Sequence, residues 1–482
     1  MTGSLLLKDE LLCAVNGKQI GQADCFFDDV QTDSRNVSAE KKCMFVPLVG
    51  EFQNGHKYIP DVLKKNATVV LLNKSEYESN PNFYDKLAME NPATCFVAVE
   101  NTLHALQNAA EAYVNKVAQN MIRVSITGSS GKTTTKEMLV SVCKQHFGEG
   151  GVAYTKGNFN SETGLPLSVF KIRGDEKIGI FEMGMNRQNE IGEISKVWKS
   201  QYGIITNIGT AHIGILGSRE NIAKEKRKSL DYIPANGAAF VCSEDSYGDF
   251  CCENVKGKKV KFGRTIPENQ SGEKFIEDKG LFGSVFEIDG EKIHLPLSGD
   301  YNYVNALAVI ACAKVLGIGS SEIKAGLENV AAMSGRMETK QVLLKNHKKA
   351  VLIKDCYNAN LDSMLKVIDF CNSLKQIGKK IFVLADMKEL GGESKKSHEA
   401  VGQAVNKVCP DYVFMIGQEM KAGFDLLTKK ENAFWYEKND EKSFSDIAGK
   451  INNLAAENDV ILLKGSHSME LEKLVPLLVM EA

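Results

Sequence analysis

The chain has 482 residues, 43% hydrophobic and 25% charged, which suits a soluble globular protein of about three domains rather than one core. Its 59 basic and 61 acidic residues leave a formal net charge of -2, so the whole chain carries no electrostatic footprint for nucleic acid. No apolar run nears the roughly 20 residues of a membrane span, and Asp9 and Glu10 break up the N-terminal apolar positions, so a cytoplasmic protein without membrane contact is expected.

The chain divides by texture into three α/β segments. Residues 1–100 open with a helical stretch and carry short apolar runs at 44–49 and 68–72 between polar turns, which predicts a small α/β N-terminal domain. Residues 101–333 predict a central phosphate-loop, mononucleotide-binding α/β domain. It begins with the strand-like run 124–127, followed at once by Thr127-Gly128-Ser129-Ser130-Gly131-Lys132-Thr133 and a helix. Glycines there let backbone N–H groups turn toward phosphate oxygens, and the helix start adds its positive dipole end. Lys132 offers a point charge to the outer phosphates and Thr133 a hydroxyl to Mg²⁺. The usual longer phosphate loop has a further glycine five positions before Gly131, where this chain has Ile126, so the loop is a tighter variant. The plain alternative is a chance Gly-Ser turn.

Apolar runs at 178–181 and 203–205 read as buried parallel strands. Glu182 ends the first, and His212 lies just past the second, so both are expected beyond carboxyl ends of strands, where ligands collect in such sheets. A carboxylate suits Mg²⁺, and an imidazole is a less usual partner. Ile222, Lys226 and Leu230 are spaced to share one helix face, with Lys224 turned outward. A lysine on that apolar stripe snorkels, pairs with an acid, or changes its chemical state, for instance as a CO₂-derived carbamate that could ligate Mg²⁺; the stripe alone leaves these open. Residues 262–297 change to short alternating runs with Gly and Asp turns, predicting an antiparallel hairpin.

Residues 334–482 predict a Rossmann-like, doubly wound α/β domain, with strands at 350–353, 381–384, 412–416 and 460–463. The twelve cysteines are scattered through the chain, which predicts buried free thiols rather than disulfides or a zinc site.

Several segments, in order, resemble the Mur ligases: TDSRNV at 32–37, TGSSGKTTTKEM at 127–138, GNFNSETGLPLSV at 157–169, FEMGMNRQNEI at 181–191, NIGTAHIGILGSRENIAKEK at 207–226, YNYVNALAV at 301–309, SGRME at 334–338, DCYNANLDSM at 355–364, LADMKELG at 384–391 and KGSHSMELE at 464–472. The resemblance covers nearly the whole chain. It implies an ATP-dependent amide ligase that adds D-alanyl-D-alanine to UDP-N-acetylmuramoyl-tripeptide, acting as a monomer with two Mg²⁺ ions.

The resemblance also implies roles. Ser34 and Arg35 would hold the UDP end; Gly128, Ser129, Ser130, Gly131, Lys132, Thr133 and Thr134 would grip ATP. Asn302 and Asn305 would meet the adenine, and Arg336 and Asp355 the phosphates and ribose. Thr133, Glu182, His212 and carbamylated Lys226 would serve the metals, with Lys132, Glu182, His212 and Lys226 as the catalytic set. Asn158 and Asn160 would face the precursor, and Tyr357, Asn358 and Asn360 the dipeptide. Departures from the family pattern stand at Tyr301, Lys354, Cys356, Leu361 and His467, and Arg227-Lys228 follow the modified lysine in place of Gly-Glu. A relative adding a single diamino acid or glutamates to a folate-like substrate is disfavoured by the run 357–360 and by the lack of an Asp-Asn-Pro-Arg motif. A nucleotide-binding regulator that has lost catalysis is disfavoured by the joint presence of Lys132, Thr133, Glu182, His212 and Lys226.

Overall fold

The structure is a computed structural model that describes residues 3–375 and 378–480. Its first sheet contains β1 (Lys18–Ile20), β2 (Asp29–Gln31), β3 (Cys43–Phe45), β4 (Val69–Asn73) and β5 (Cys95–Val99), in the order β1-β5-β4-β3-β2. Only β1 runs antiparallel to its neighbour. Alternation along β4 and β5 sends Val69, Leu71, Val97 and Val99 to one core and Val70, Leu72, Phe96 and Ala98 to the other.

The helix Thr102–Val117 follows, started by the Asn101 side chain, which accepts from the His104 N–H. Its Ala105, Leu106, Ala109, Ala110, Tyr113 and Val114 recur at helical spacing and are buried. They face the first helix, Lys8–Val15, and also the helices Gly164–Val169 and Glu190–Trp198 of the next segment. One apolar core therefore runs unbroken from Leu6 to Cys252.

The second sheet is all parallel: β6 (Ile122–Thr127), β7 (Val152–Tyr154), β8 (Ile178–Glu182), β9 (Tyr202–Ile205), β10 (Ala238–Cys242) and β11 (Lys258–Phe262), in the order β11-β10-β9-β6-β8-β7. β8 and β9 flank β6 on opposite sides, so the chain switches direction of travel across the sheet at β6. The crevice beyond the carboxyl ends of β6, β8 and β9 is where such a sheet binds ligands. One face of the sheet joins the first core. The other is covered by the helices Lys132–Phe147, Tyr301–Val315 and Ser320–Glu328.

Residues 262–297 form more than the expected hairpin. Three antiparallel strands, β12 (Glu273–Asp278), β13 (Ser284–Ile288) and β14 (Glu291–Leu295), pack Phe286, Ile288, Ile293 and Leu295 onto those helices. β12 is exposed along most of its length, and so it lacks the apolar alternation by which a strand is recognised.

The last sheet contains β15 (Glu338–Leu343), β16 (Lys349–Asp355), β17 (Lys380–Ala385), β18 (Tyr412–Ile416), β19 (Ala433–Tyr436) and β20 (Asp459–Lys464), in the order β15-β16-β20-β17-β18-β19. β15 alone is antiparallel. Ile381, Val383 and Ala385 enter one core while Phe382 and Leu384 enter another, as a sheet covered on both faces requires.

One expectation is overturned. Cys25 and Cys95 form a disulfide with S–S 2.21 Å. Cys95 begins β5 and Cys25 lies between β1 and β2, and the shared core brings them together across 70 positions of sequence, a proximity that spacing could not reveal. The other ten cysteines are free and mostly buried, and burial pushes the Cys143 and Cys371 thiols up to about 12. Among the described residues no helix is long and apolar enough to cross a membrane.

Candidate active site

β6 runs to Thr127, so Ile126 is a fully buried strand residue and the loop proper starts one step later, at Gly128. Gly128 has φ +151° and Gly131 φ +81°, both in the region that favours glycine. A Cβ on Gly128 would lie 1.8 Å from Thr206 Oγ1, and one on Gly131 would lie 2.6 Å from Asn305 Oδ1. Residues just after β9 hold the loop from below. Ser129 N donates to Asn207 O (2.9 Å), Ser130 N to Asn207 Oδ1 (3.1 Å), and Thr206 Oγ1 to Ser130 O (2.6 Å). Two loop N–H groups are thus occupied, and those of the first turn of the helix Lys132–Phe147, which have no intrahelical acceptor, remain for an anion.

Lys132 Nζ donates to Gly128 O at 2.8 Å, and Lys226 Nζ donates to the same oxygen at 3.0 Å. Ile222, Lys226 and Leu230 are all buried, while Lys224 turns outward to Glu220. Burial pushes the Lys226 amine well below its usual value, and the nearby Lys132 charge pushes it further. Burial also lowers Lys132, against the pull of Glu182.

Glu182 is only 1% exposed at the end of β8. Its Oε2 accepts from Thr133 Oγ1 (2.8 Å), its Oε1 from Asn160 Nδ2 (2.7 Å), and its backbone N donates to Thr155 Oγ1 (2.9 Å). His212 has Nδ1 2.7 Å from Glu389 Oε2, without the alignment of a hydrogen bond. The facing imidazole holds the Glu389 carboxyl below its usual value.

These groups open on a cleft of about 990 Å³ between the second and last sheets. Ser129, Ser130, Gly131, Lys132 and Thr134 form its phosphate-loop wall, beside Asn158, Asn160, Glu182 and His212. Asn302 and Asn305 line it from the start of their helix, joined by Asn305 Nδ2 donating to Asn302 Oδ1 (3.0 Å). Across the cleft, Asp355 at the end of β16 meets Lys464 Nζ (2.9 Å), and the same buried lysine donates to Asn358 O (2.6 Å). The Arg336 guanidinium lies 4.0 Å above the Tyr357 ring, which stacks on His467 with centroids 5.8 Å apart. Asn360 caps the helix Leu361–Ser373, and its Nδ2 reaches Ser130 Oγ at 3.4 Å.

Gly128, Thr133 and Lys226 do not themselves line the cleft; Gly128 and Thr133 lie next to lining residues in the chain, and Lys226 bonds to Gly128. Ser34 and Arg35 are not at the cleft. They sit on a turn of the first segment, with Arg35 paired to Asp33 (2.6 Å) and Ser34 O accepting from Lys65 Nζ (2.7 Å).

The Mur ligase middle domain model matches residues 126–313, and the Mur ligase, glutamate ligase domain model matches residues 335–467. The UDP-N-acetylmuramoyl-tripeptide–D-alanyl-D-alanine ligase of Treponema pallidum is 35% identical over 98% of this chain and 99% of its own. The chain belongs to the Mur ligase family. The ligase of the same name from Bacillus subtilis is 31% identical over 92% of each chain. A crystal structure of MurF from Acinetobacter baumannii superposes with TM-score 0.82 at 26% identity, covering 97% of both chains.

Within this Mur ligase fold, the departures noted in sequence find partners. Lys354 lies directly across from Glu338 in the β15–β16 register and pairs with it at 2.8 Å. Tyr301 packs against the core of the last segment. Sequence reasoning missed Asn207, Thr210, Asp362, Glu389 and Lys464. Asn207 follows the apolar run of β9 as Glu182 ends that of β8, so the strand-end argument could have found it. Thr210 and Asp362 meet across 152 positions, and no spacing signals such a contact.

Proposed function

We propose that this chain is the ATP-dependent ligase that joins D-alanyl-D-alanine to UDP-N-acetylmuramoyl-tripeptide, releasing ADP and phosphate, in peptidoglycan precursor synthesis. The observation that carries this is full-length likeness to ligases of that name, combined with a cleft that sets a phosphate loop opposite the Asn358–Asn360 edge of the last sheet.

A carboxylate is a poor electrophile, so the tripeptide carboxyl is first phosphorylated by ATP. Its oxygen attacks the γ-phosphorus and the bridging P–O bond to ADP breaks. Charge neutralisation and alignment suffice for such a transfer. Lys132 leaves the Gly128 carbonyl for the transferring phosphate, and the first-turn N–H groups of its helix hold the oxygens. The dipeptide amine then attacks the acyl carbon, the C–O bond to phosphate breaks, and the nitrogen sheds a proton. Residues 1–100 bind the UDP end through Ser34 and Arg35, residues 101–333 bind ATP, and residues 334–482 present the dipeptide along Tyr357, Asn358 and Asn360.

Magnesium fits the donor set. The Thr133 hydroxyl and Glu182 carboxylate are hard oxygen donors already in contact, and Mg²⁺ commonly takes one or two carboxylates plus substrate phosphates and water. Bound there, it would neutralise charge on the transferring phosphate. For a second ion, His212 would serve beside Lys226, whose amine burial pushes well below its usual value; in its neutral form that amine can take up CO₂ as a carbamate on giving up its bond to Gly128 O. The chain works as a cytoplasmic monomer in this reading.

The test is phosphate release by the purified chain with ATP and Mg²⁺. Release that needs both UDP-N-acetylmuramoyl-tripeptide and D-alanyl-D-alanine is expected. Release with a single diamino acid in place of the dipeptide, or none at all, refutes the reading.

A further inference from the structure

We propose that Asp362 is a positioning residue that fastens the acceptor-carrying segment to the phosphate loop and thereby sets how much acyl phosphate becomes amide rather than being lost to water. The inference rests on the ligase reading above.

One carboxylate oxygen carries the contact. Asp362 Oδ2 accepts from Thr210 N at 2.7 Å and from Thr210 Oγ1 at 2.8 Å. A Cβ on Gly209 would lie 2.3 Å from that oxygen, so the approach depends on the glycine. Gly209 N in turn donates to Ser129 Oγ at 2.9 Å, on the loop itself. Two residues before Asp362, Asn360 begins the same helix and reaches Ser130 Oγ. Residues 129–130, 209–210 and 360–362 are thus one connected strip, with a phosphate grip at one end and the edge that presents the dipeptide at the other.

A second contact lies a few residues on. Gly214 N donates to Glu389 O at 3.2 Å, and a Cβ on Gly214 would lie 2.4 Å from Gly391 N. Gly214 meets its partners backbone against backbone and close-packed, and beside it His212 Nδ1 faces the Glu389 carboxylate at 2.7 Å without the alignment of a hydrogen bond. At the Thr210 contact, a charged oxygen takes two donors from one residue, and such bonds are both stronger and more directional.

The strip matters because two nucleophiles compete for the same carbon. When the dipeptide nitrogen attacks, the C–O bond to phosphate breaks and amide plus phosphate result. When water attacks, the same bond breaks and the tripeptide carboxylate returns with phosphate, so one ATP is consumed and no amide forms. Phosphate released per amide formed therefore reads how well the acceptor segment is held over the loop.

The experiment measures phosphate and amide together, at saturating ATP, Mg²⁺, UDP-tripeptide and dipeptide, for the full chain and three variants. For Asp362→Ala, amide formation is expected to fall by about ten- to a hundredfold while the KM for ATP stays within about twofold, and phosphate release is expected to exceed amide formation. Asp362→Asn, whose amide oxygen can take the same two donors, should recover most of the coupling. Thr210→Val, which removes only the hydroxyl, should fall between. An Asp362→Ala chain that still yields one amide per phosphate overturns the proposal, as does a parallel loss of ATP affinity and turnover. If Asp362→Ala does not fold, Thr210→Val decides, and full coupling in that variant is the overturning result. A wild-type chain that makes no amide refutes the ligase reading itself, and this proposal with it.

Discussion

Lys226 illustrates how far one side chain can be taken from pattern to chemistry. Its place on a buried stripe is legible from spacing alone: Ile222, Lys226 and Leu230 are all buried, although the helix ends at Arg227 and Leu230 lies on the 3₁₀ turn Lys228–Leu230 that follows. What spacing could not supply is the partner. The amine meets a backbone carbonyl that Lys132 also uses, and two ammonium groups on one oxygen in a buried site repel, so burial and repulsion together favour the uncharged amine. If that amine carries a carbamate at work, Lys226→Ala should lose about 10²–10³ in ligation rate, and short carboxylic acids added to the assay should restore part of it. Full activity of the variant without added acid excludes the carbamate.

At the level of elements, the strand-to-helix corners were readable because each joins an apolar run to a glycine or a polar end residue. β15 was not, since it is an edge strand with Thr339, Lys340 and Gln341 in its middle and little burial. The first residue pair of its register with β16 is an ion pair, Glu338 with Lys354. Glu338 is largely buried, which raises its carboxyl, but bonds from Lys340, Lys354 and the Gly335 N–H outweigh this and bring it to about 2. A carboxyl lowered in the fold contributes its stability in full above the unfolded value of 4.5 and loses it as pH falls toward about 2. Denaturant titrations at pH 6, 4 and 3 should show a progressive loss, of which about 1–3 kcal/mol belongs to this group. Lys354→Met should be less stable at pH 6 and should show a shallower loss below pH 4. An unchanged pH slope would count against the pairing.

At the scale of the whole molecule, the three α/β segments were legible in the sequence, because strand and helix periods alternate throughout. The contacts between segments were not. Thr210 with Asp362 and Gly214 with Glu389 are joined by tertiary packing over long separations, as Cys25 and Cys95 are within the first segment. That is also where the candidate site was least complete in sequence, since its far wall comes from another sheet. The partition of apolar cores has a mechanical reading. The first segment and the phosphate-loop sheet share one core, whereas the last sheet keeps two of its own. Joint packing of the two segments resists a change in the distance from the Ser34–Arg35 turn to Lys132, much as a calliper keeps its span. If the precursor is anchored there by its nucleotide, as proposed, its carboxyl reaches the loop only at the proper peptide length. Shortened by one amino acid, it should still bind yet trigger no ATP turnover, because a stiff gauge does not close on an undersized object.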